Sequence, residues 1–195
     1  MKKSKGTILK IILGLVLLFL YLPIVYTIVF SFNSSKSLSV FKGFSLKWYE
    51  KMFNSGEIMD AIFYTIIVAV LTTVISTVVG TITAIGMSKS KKVIRKSIEQ
   101  INDFPIMNPE IVTAIGLLMF FSAVAIRKGF VTMLLAHIMF CIPYVILSIM
   151  PKLRSLDPNL IDAALDLGAT PIQALTKVVV PQITSGIVAG ALIAF

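Results

Sequence analysis

The run Ile11-Ile-Leu-Gly-Leu-Val-Leu-Leu-Phe-Leu-Tyr-Leu-Pro-Ile-Val-Tyr-Thr-Ile-Val-Phe30 decides the fold class. Only Gly14, Pro23 and Thr27 in it fall outside the apolar set. A bilayer core about 30 Å thick needs roughly 20 such residues in a spanning helix. The run exceeds the usual signal-peptide apolar region, and no small-x-small cleavage site follows it, so a retained span over about 8–30 is expected. Similar runs lie at about 59–87, 109–126 and 130–150, and a fifth occupies 183–195. In lipid a span is a helix or a closed-barrel strand, and these runs are continuous rather than alternating. The expectation is an all-α integral membrane protein, a polytopic helical bundle of about four full spans plus a partial fifth. Pro143 is expected to kink the fourth span. Thr72, Thr73, Ser76, Thr77, Gly80 and Thr83 suit close helix packing in the second.

The whole composition agrees. The chain has 195 residues, 57% hydrophobic and 14% charged, against about 45–50% and about 25% in soluble domains. Cys141 is the only cysteine, which excludes an internal disulfide framework. The net charge of +9 reads as a topology signal before it reads as nucleic-acid binding. Twelve of the 18 basic residues fall in alternate loops: Lys2, Lys3, Lys5 and Lys10; Lys89, Lys91, Lys92, Arg95 and Lys96; and Lys152, Arg154 and Lys177. The positive-inside rule places these loops and the N-terminus in the cytoplasm. The opposite loops carry Lys36, Lys42, Lys47, Lys51, Arg127 and Lys128, a mild conflict beside Glu50 and Glu57. In the outer loop, about 33–56, Leu46, Tyr49 and Phe53 recur at helical spacing beside Trp48 and Met52. This predicts a short interfacial helix that anchors its rings at headgroup depth, or alternatively a surface that meets a delivery partner.

The segment 155–181 holds two helix starts. Asp157 can cap a helix beginning at Pro158 and running to about Leu167, with Gly168 as the residue tolerant of positive φ. Thr170-Pro171 repeats the signal for a second short helix, which Pro181 is expected to close. Asp162 and Asp166 sit one turn apart and repel. Basic groups facing them, on a partner or on Arg154 or Lys152, would offset that, and a solvated acidic face is the plain alternative. His137 lies within the fourth span with no nucleophile or metal-ligand cluster near it in sequence, and an interhelical hydrogen bond is its expected role. Cys141 is read as a small packing residue.

Here the residues resemble a family. Asp162-Ala163-Ala164, three residues, Gly168, nine residues, then Val178-Val179-Val180-Pro181 matches in spacing the cytoplasmic pattern of bacterial ABC importer permeases. That pattern reads Glu-Ala-Ala, Gly, then Ile-x-Leu-Pro; the departures are Asp for Glu and Val for Ile and Leu. Phe44-Ser45-Leu46-Lys47-Trp48-Tyr49, Pro109-Glu110-Ile111-Val112 with Gly116-Leu117-Leu118, and Ala136-His137 through Cys141-Ile142-Pro143-Tyr144 resemble most the second permease subunit of spermidine/putrescine importers.

The resemblance implies a type I permease fold and a coupling helix. Asp162, Ala163, Ala164, Asp166, Leu167, Gly168 and Pro171 would then meet the ATPase subunit. It implies an ATP-binding subunit dimer, a second homologous permease and an extracytoplasmic solute-binding protein as partners, in a bacterial cell membrane. The chain has no G-x-x-x-x-G-K-[ST] loop, so ATP would be bound by the partner, with no cofactor, metal or catalytic residue here and no nucleic acid. For a cationic solute, Glu110, Asp60, Phe140 and Tyr144 are the candidate pathway residues. Glu110 and Asp60 could equally complement their own helix dipoles. A channel or secondary transporter without an ATPase is the second function class, and an inactive truncated permease the third. The fifth run of 13 residues, about 20 Å long, predicts a permease missing the end of that span and a sixth.

Overall fold

A computed structural model describes residues 2–195, with side chains from Leu9 onward. The side chains of Lys2, Lys3 and Lys5, used above for topology, lie outside the described residues. All named elements are helices: α1 Lys2–Ser31, α2 Lys47–Phe53, α3 Gly56–Lys89, α4 Lys92–Met107, α5 Glu110–Ala123, α6 Phe130–Arg154, α7 Leu160–Asp166, α8 Pro171–Ala174 and α9 Val180–Ala194. A π-turn, Leu175–Val179, joins α8 to α9. The chain divides into two compact units, Met1–Phe63 and Tyr64–Phe195.

In the first unit every described residue of α1 from Leu9 to Val29 is exposed, as expected of a helix that offers apolar surface all round to lipid. The loop after it is built on Asn33, which is fully buried. Its Nδ2 donates to the carbonyls of Ser37 and Val40, both at 2.8 Å. Its Oδ1 accepts from Ser35 N–H at 3.2 Å and Lys42 N–H at 2.9 Å. The predicted short helix forms as α2, and its apolar side chains divide between two environments. Leu46 and Phe53 are exposed, but Tyr49 stacks on Phe32 at 5.2 Å and shares a 2.7 Å hydrogen bond with Ser31. Trp48 Nε1 donates to the Asn33 carbonyl at 2.8 Å. The Trp48 ring turns inward to satisfy the carbonyl of the buried Asn33.

Asn33→Ala is expected to leave two N–H groups and two carbonyls without their partner, at a cost of about 1–3 kcal/mol. Trp48 is the single tryptophan and touches Asn33 directly. A red shift of its emission and easier quenching will report the opened loop, and an unchanged spectrum would refute the hub.

In the second unit α6 is the central helix. On one side α3 runs parallel to it, with Tyr64 near Phe130 at 6.2 Å and Gly80 against Val145 farther along. Thr72, Ser76, Gly80, Ala84 and Met87 form the buried stripe of α3. On the other side α9 runs antiparallel, with Gly190 against Val145 and Gly186 against Ser148 and Ile149. The core joins Ala84 and Met87 to Val145, Ile146, Ile149 and Met150, and to Val179, Ile183 and Ala194.

Among the described residues four helical stretches are long and apolar enough to cross a membrane, or five if the bent pair α4 and α5 counts as one span. The run at 109–126 forms only the 14-residue α5, about 21 Å long at 1.5 Å per residue. It meets α4 at a bend of 106°. The bend falls at Asn108, whose ψ of 146° is the extended conformation imposed by the following Pro109. In exchange, α8, the π-turn and α9 form one stretch of 24 residues, Pro171–Ala194. Pro181 therefore closes nothing. It lies in the first turn of α9, where its missing N–H orphans little, and the π-turn before it carries Val180 N–H back to the Leu175 carbonyl. The helix of α6 likewise continues through Pro143 to Arg154. The segment after α3 is an amphipathic helix, α4, rather than a plain loop; Ile94, Ile98 and Ile101 at helical spacing carry the signal that reveals it.

Candidate functional site

The segment 155–181 projects from the ends of α6 and α9. Asp157 Oδ1 accepts from Asn159 N–H at 2.9 Å, the side-chain bond expected of a cap, but residues 158–159 form a turn and α7 starts at Leu160. The far end is as the sequence predicts. Gly168 has φ +86°. Gly168 N–H donates to the Leu165 carbonyl at 2.9 Å and Ala169 N–H to the Ala164 carbonyl at 3.1 Å, a complete Schellman closure. Two residues on, Thr170 and Gln173 form a reciprocal capping box, at 3.3 Å and 3.0 Å. Helix, glycine turn and helix are thus fixed by local hydrogen bonds with no slack between them.

The outer face of this element is bare. Asp162, Ala163, Asp166, Leu167, Gly168 and Pro171 are exposed and Ala164 is half-buried. Leu167 is 90% exposed, unusual for a large apolar side chain outside a membrane span. Among the described residues no basic group pairs with Asp162 or Asp166, and Arg154 is bound to Glu99 at 3.1 Å. Arg154 chooses Glu99 because α4 packs beside the end of α6, where the carboxylate is half-buried between Arg154 and Arg95. The inner face is anchored, with Ile161, Leu156 and Leu175 packed on the core of α3, α6 and α9. Force applied at the exposed turn therefore has a stiff route into the long helices.

Asp60 is exposed in α3 and Glu110 is exposed at the first residue of α5. Phe140 and Tyr144 are half-buried one turn apart on α6. Among the described residues no hydrogen bond or ion pair joins Glu110, Phe140 and Tyr144 to one another. His137 corrects its expectation: it is exposed, and Nδ1 bonds to the Met133 carbonyl of its own helix at 2.8 Å, one turn back, rather than to another helix. Cys141 is half-buried against the end of α9, its Sγ 3.6 Å from the Ala194 carbonyl, as a packing residue would be.

Residues 76–195, which include the whole projecting segment, match the family of binding-protein-dependent transport system inner membrane components. The chain is 34% identical to the spermidine/putrescine transport system permease protein PotC of Haemophilus influenzae, over 91% of this chain and 69% of that protein. It is 32% identical to PotC of Escherichia coli K12, over 91% and 67%. It is also 34% identical to the putrescine transport system permease protein PotI of the same strain, over 99% and 70%. With the family match covering most of its length and these relatives aligned along nearly all of it, the chain belongs to the binding-protein-dependent inner membrane components, the permeases of ABC importers.

Proposed function

We propose that this permease is one membrane subunit of an ATP-driven importer for polyamines of the spermidine and putrescine class, and that residues 155–181 are its coupling segment. The observation that carries the coupling assignment is the turn at Leu167-Gly168. It is locked by backbone bonds, apolar, almost wholly exposed, and joined through Ile161 to the helix core. Ala163, Ala164 and Gly168 form the docking surface, Asp162 and Asp166 offer charge to basic groups of an ATPase, and Leu167 and Pro171 border the turn. ATP is held by that partner. A second permease and a solute-binding protein complete the assembly, in a bacterial cell membrane with the N-terminus and 155–181 cytoplasmic. The polyamine assignment rests on the relatives, which are spermidine/putrescine and putrescine permeases. Asp60 and Glu110 are the carboxylates, and Phe140 and Tyr144 the aromatic faces, that an elongated cation would meet.

The test is uptake of labelled spermidine into vesicles holding the chain with its partner permease, ATPase and binding protein. Uptake is expected only with ATP, and excess putrescine should compete. Uptake that persists without the ATPase would overturn the reading in favour of a channel or secondary transporter.

A further inference from the structure

A second feature lies at the root of α7. A cavity of about 350 Å³ opens there, walled by α3, α4, α6, α7 and the π-turn. Lys89, Arg95 and Arg154 line it, with Asp157 as the one acid, and the Ser88 hydroxyl beside them. The remaining wall is apolar and includes Met150, Leu156 and Ile161. Lys89 is the last residue of α3 and Arg154 the last of α6, so the cations ring the cavity where two long apolar helices leave the membrane. Glu99 engages Arg154 at 3.1 Å but reaches Arg95 only at 4.0 Å, and the cavity keeps a surplus of positive charge.

The neighbouring helix points to the source of an anion. α4 begins with Lys92, and Lys91, Arg95 and Lys96 cluster about its first turn. Its Val93, Ile94, Ile101, Phe104 and Met107 are exposed. A basic helix with a bare apolar side is the pattern of an element lying on a membrane surface that carries anionic lipid. Cations beside an apolar wall at headgroup depth suit an amphiphile: a phosphate for the Lys89–Arg95–Arg154 ring, and glycerol and acyl carbons for Met150 and its neighbours.

We propose that this cavity binds the phosphate headgroup of an anionic phospholipid. Because Asp157, Pro158, Leu160 and Ile161 form part of its wall, the lipid would brace the base of α7. Its assignment to the inner leaflet rests on the cytoplasmic placement proposed above.

Native mass spectrometry of the purified chain in detergent with added phosphatidylglycerol tests the site. The double variant Lys89→Gln/Arg95→Gln is compared with Lys92→Gln/Lys96→Gln, which removes the same charge from residues that do not line the cavity. The first pair is expected to weaken the lipid adduct roughly fivefold per charge removed, and the second to weaken it far less. Equal losses in both pairs would overturn the proposal, reducing it to general surface charge. So would displacement of the lipid by inorganic phosphate at millimolar concentration, which would assign the cavity to a free anion. Gly168→Asp should keep the adduct even where it loses the ATPase, so failure of the coupling assignment leaves this test standing. If cysteine labelling placed 155–181 on the outer side, the leaflet would change and the site would not.

Discussion

Gly168→Asp is expected to abolish ATP-coupled uptake while the protein still inserts in the membrane. A Cβ at Gly168 meets nothing within 4 Å, so no packing is lost inside the chain. The φ of +86° makes any side chain there strained, but one left-handed residue costs only about 1–2 kcal/mol. The new carboxylate would project from the exposed turn beside Asp162 and Asp166, on the face assigned to the ATPase. Loss of a central docking contact costs about 2 kcal/mol or more, or about 30-fold in affinity. Gly168→Ala separates the two effects, since it brings the strain without the charge, and it should retain most ATPase binding. Pull-down of the ATPase and vesicle uptake read both variants. Normal co-purification and transport by Gly168→Asp would show that the coupling segment lies elsewhere.

Gly190→Val and Gly186→Val are expected to be the most damaging substitutions for the fold itself. A Cβ at Gly190 would stand 3.1 Å from Val145 Cα and 3.4 Å from the Val145 carbonyl oxygen. At Gly186 it would stand 3.0 Å from the Ser148 carbonyl and 3.3 Å from Ile149 Cα. These neighbours are backbone of α6 and cannot rotate aside, so α9 must move away. Overpacking of this kind costs about 1–3 kcal/mol, sometimes more, and a chain of this size loses roughly 2–4 °C of melting temperature per kcal/mol. Size-exclusion chromatography after graded heating will measure it.

Gly80 offers the contrasting case. A Cβ there clashes with the Val145 side chain, at 2.7 Å from Cγ1. Gly80→Ala should therefore be relieved by Val145→Ala, while Gly190→Val should be relieved only in part. Additive losses in the Gly80/Val145 pair would contradict the close packing of α3 on α6.

Much of the segment 155–181 was legible because it is local. The positive φ at Gly168 and the Thr170–Gln173 box are settled by residues within a few positions of one another. The start of α7 was misplaced by two residues because Asp157 can serve either a helix or a turn, and it serves the turn at Asn159. The inward rings of Trp48 and Tyr49 were not legible, because helical spacing does not say that Asn33 and Ser31 wait opposite. Nor was the bond of His137 to Met133, since a polar residue in a span can satisfy itself on its own helix.

The apolar runs by themselves determined that the chain is helical and lies in a membrane, because no water is present there to satisfy an open backbone. The spacing of Asp162, Ala163, Ala164, Gly168 and Pro181 by itself pointed to the permease family. Only the tertiary structure decided that α5 is a short helix bent off α4, and that Pro171–Ala194 runs as one stretch. It alone gave Arg154 to Glu99 and left Asp162 and Asp166 open. It alone set Gly80 and Gly190 on Val145. The reason is one of range: caps and turns are written in neighbouring residues, whereas ion pairs and helix seams depend on which faces meet after residues far apart in sequence have packed.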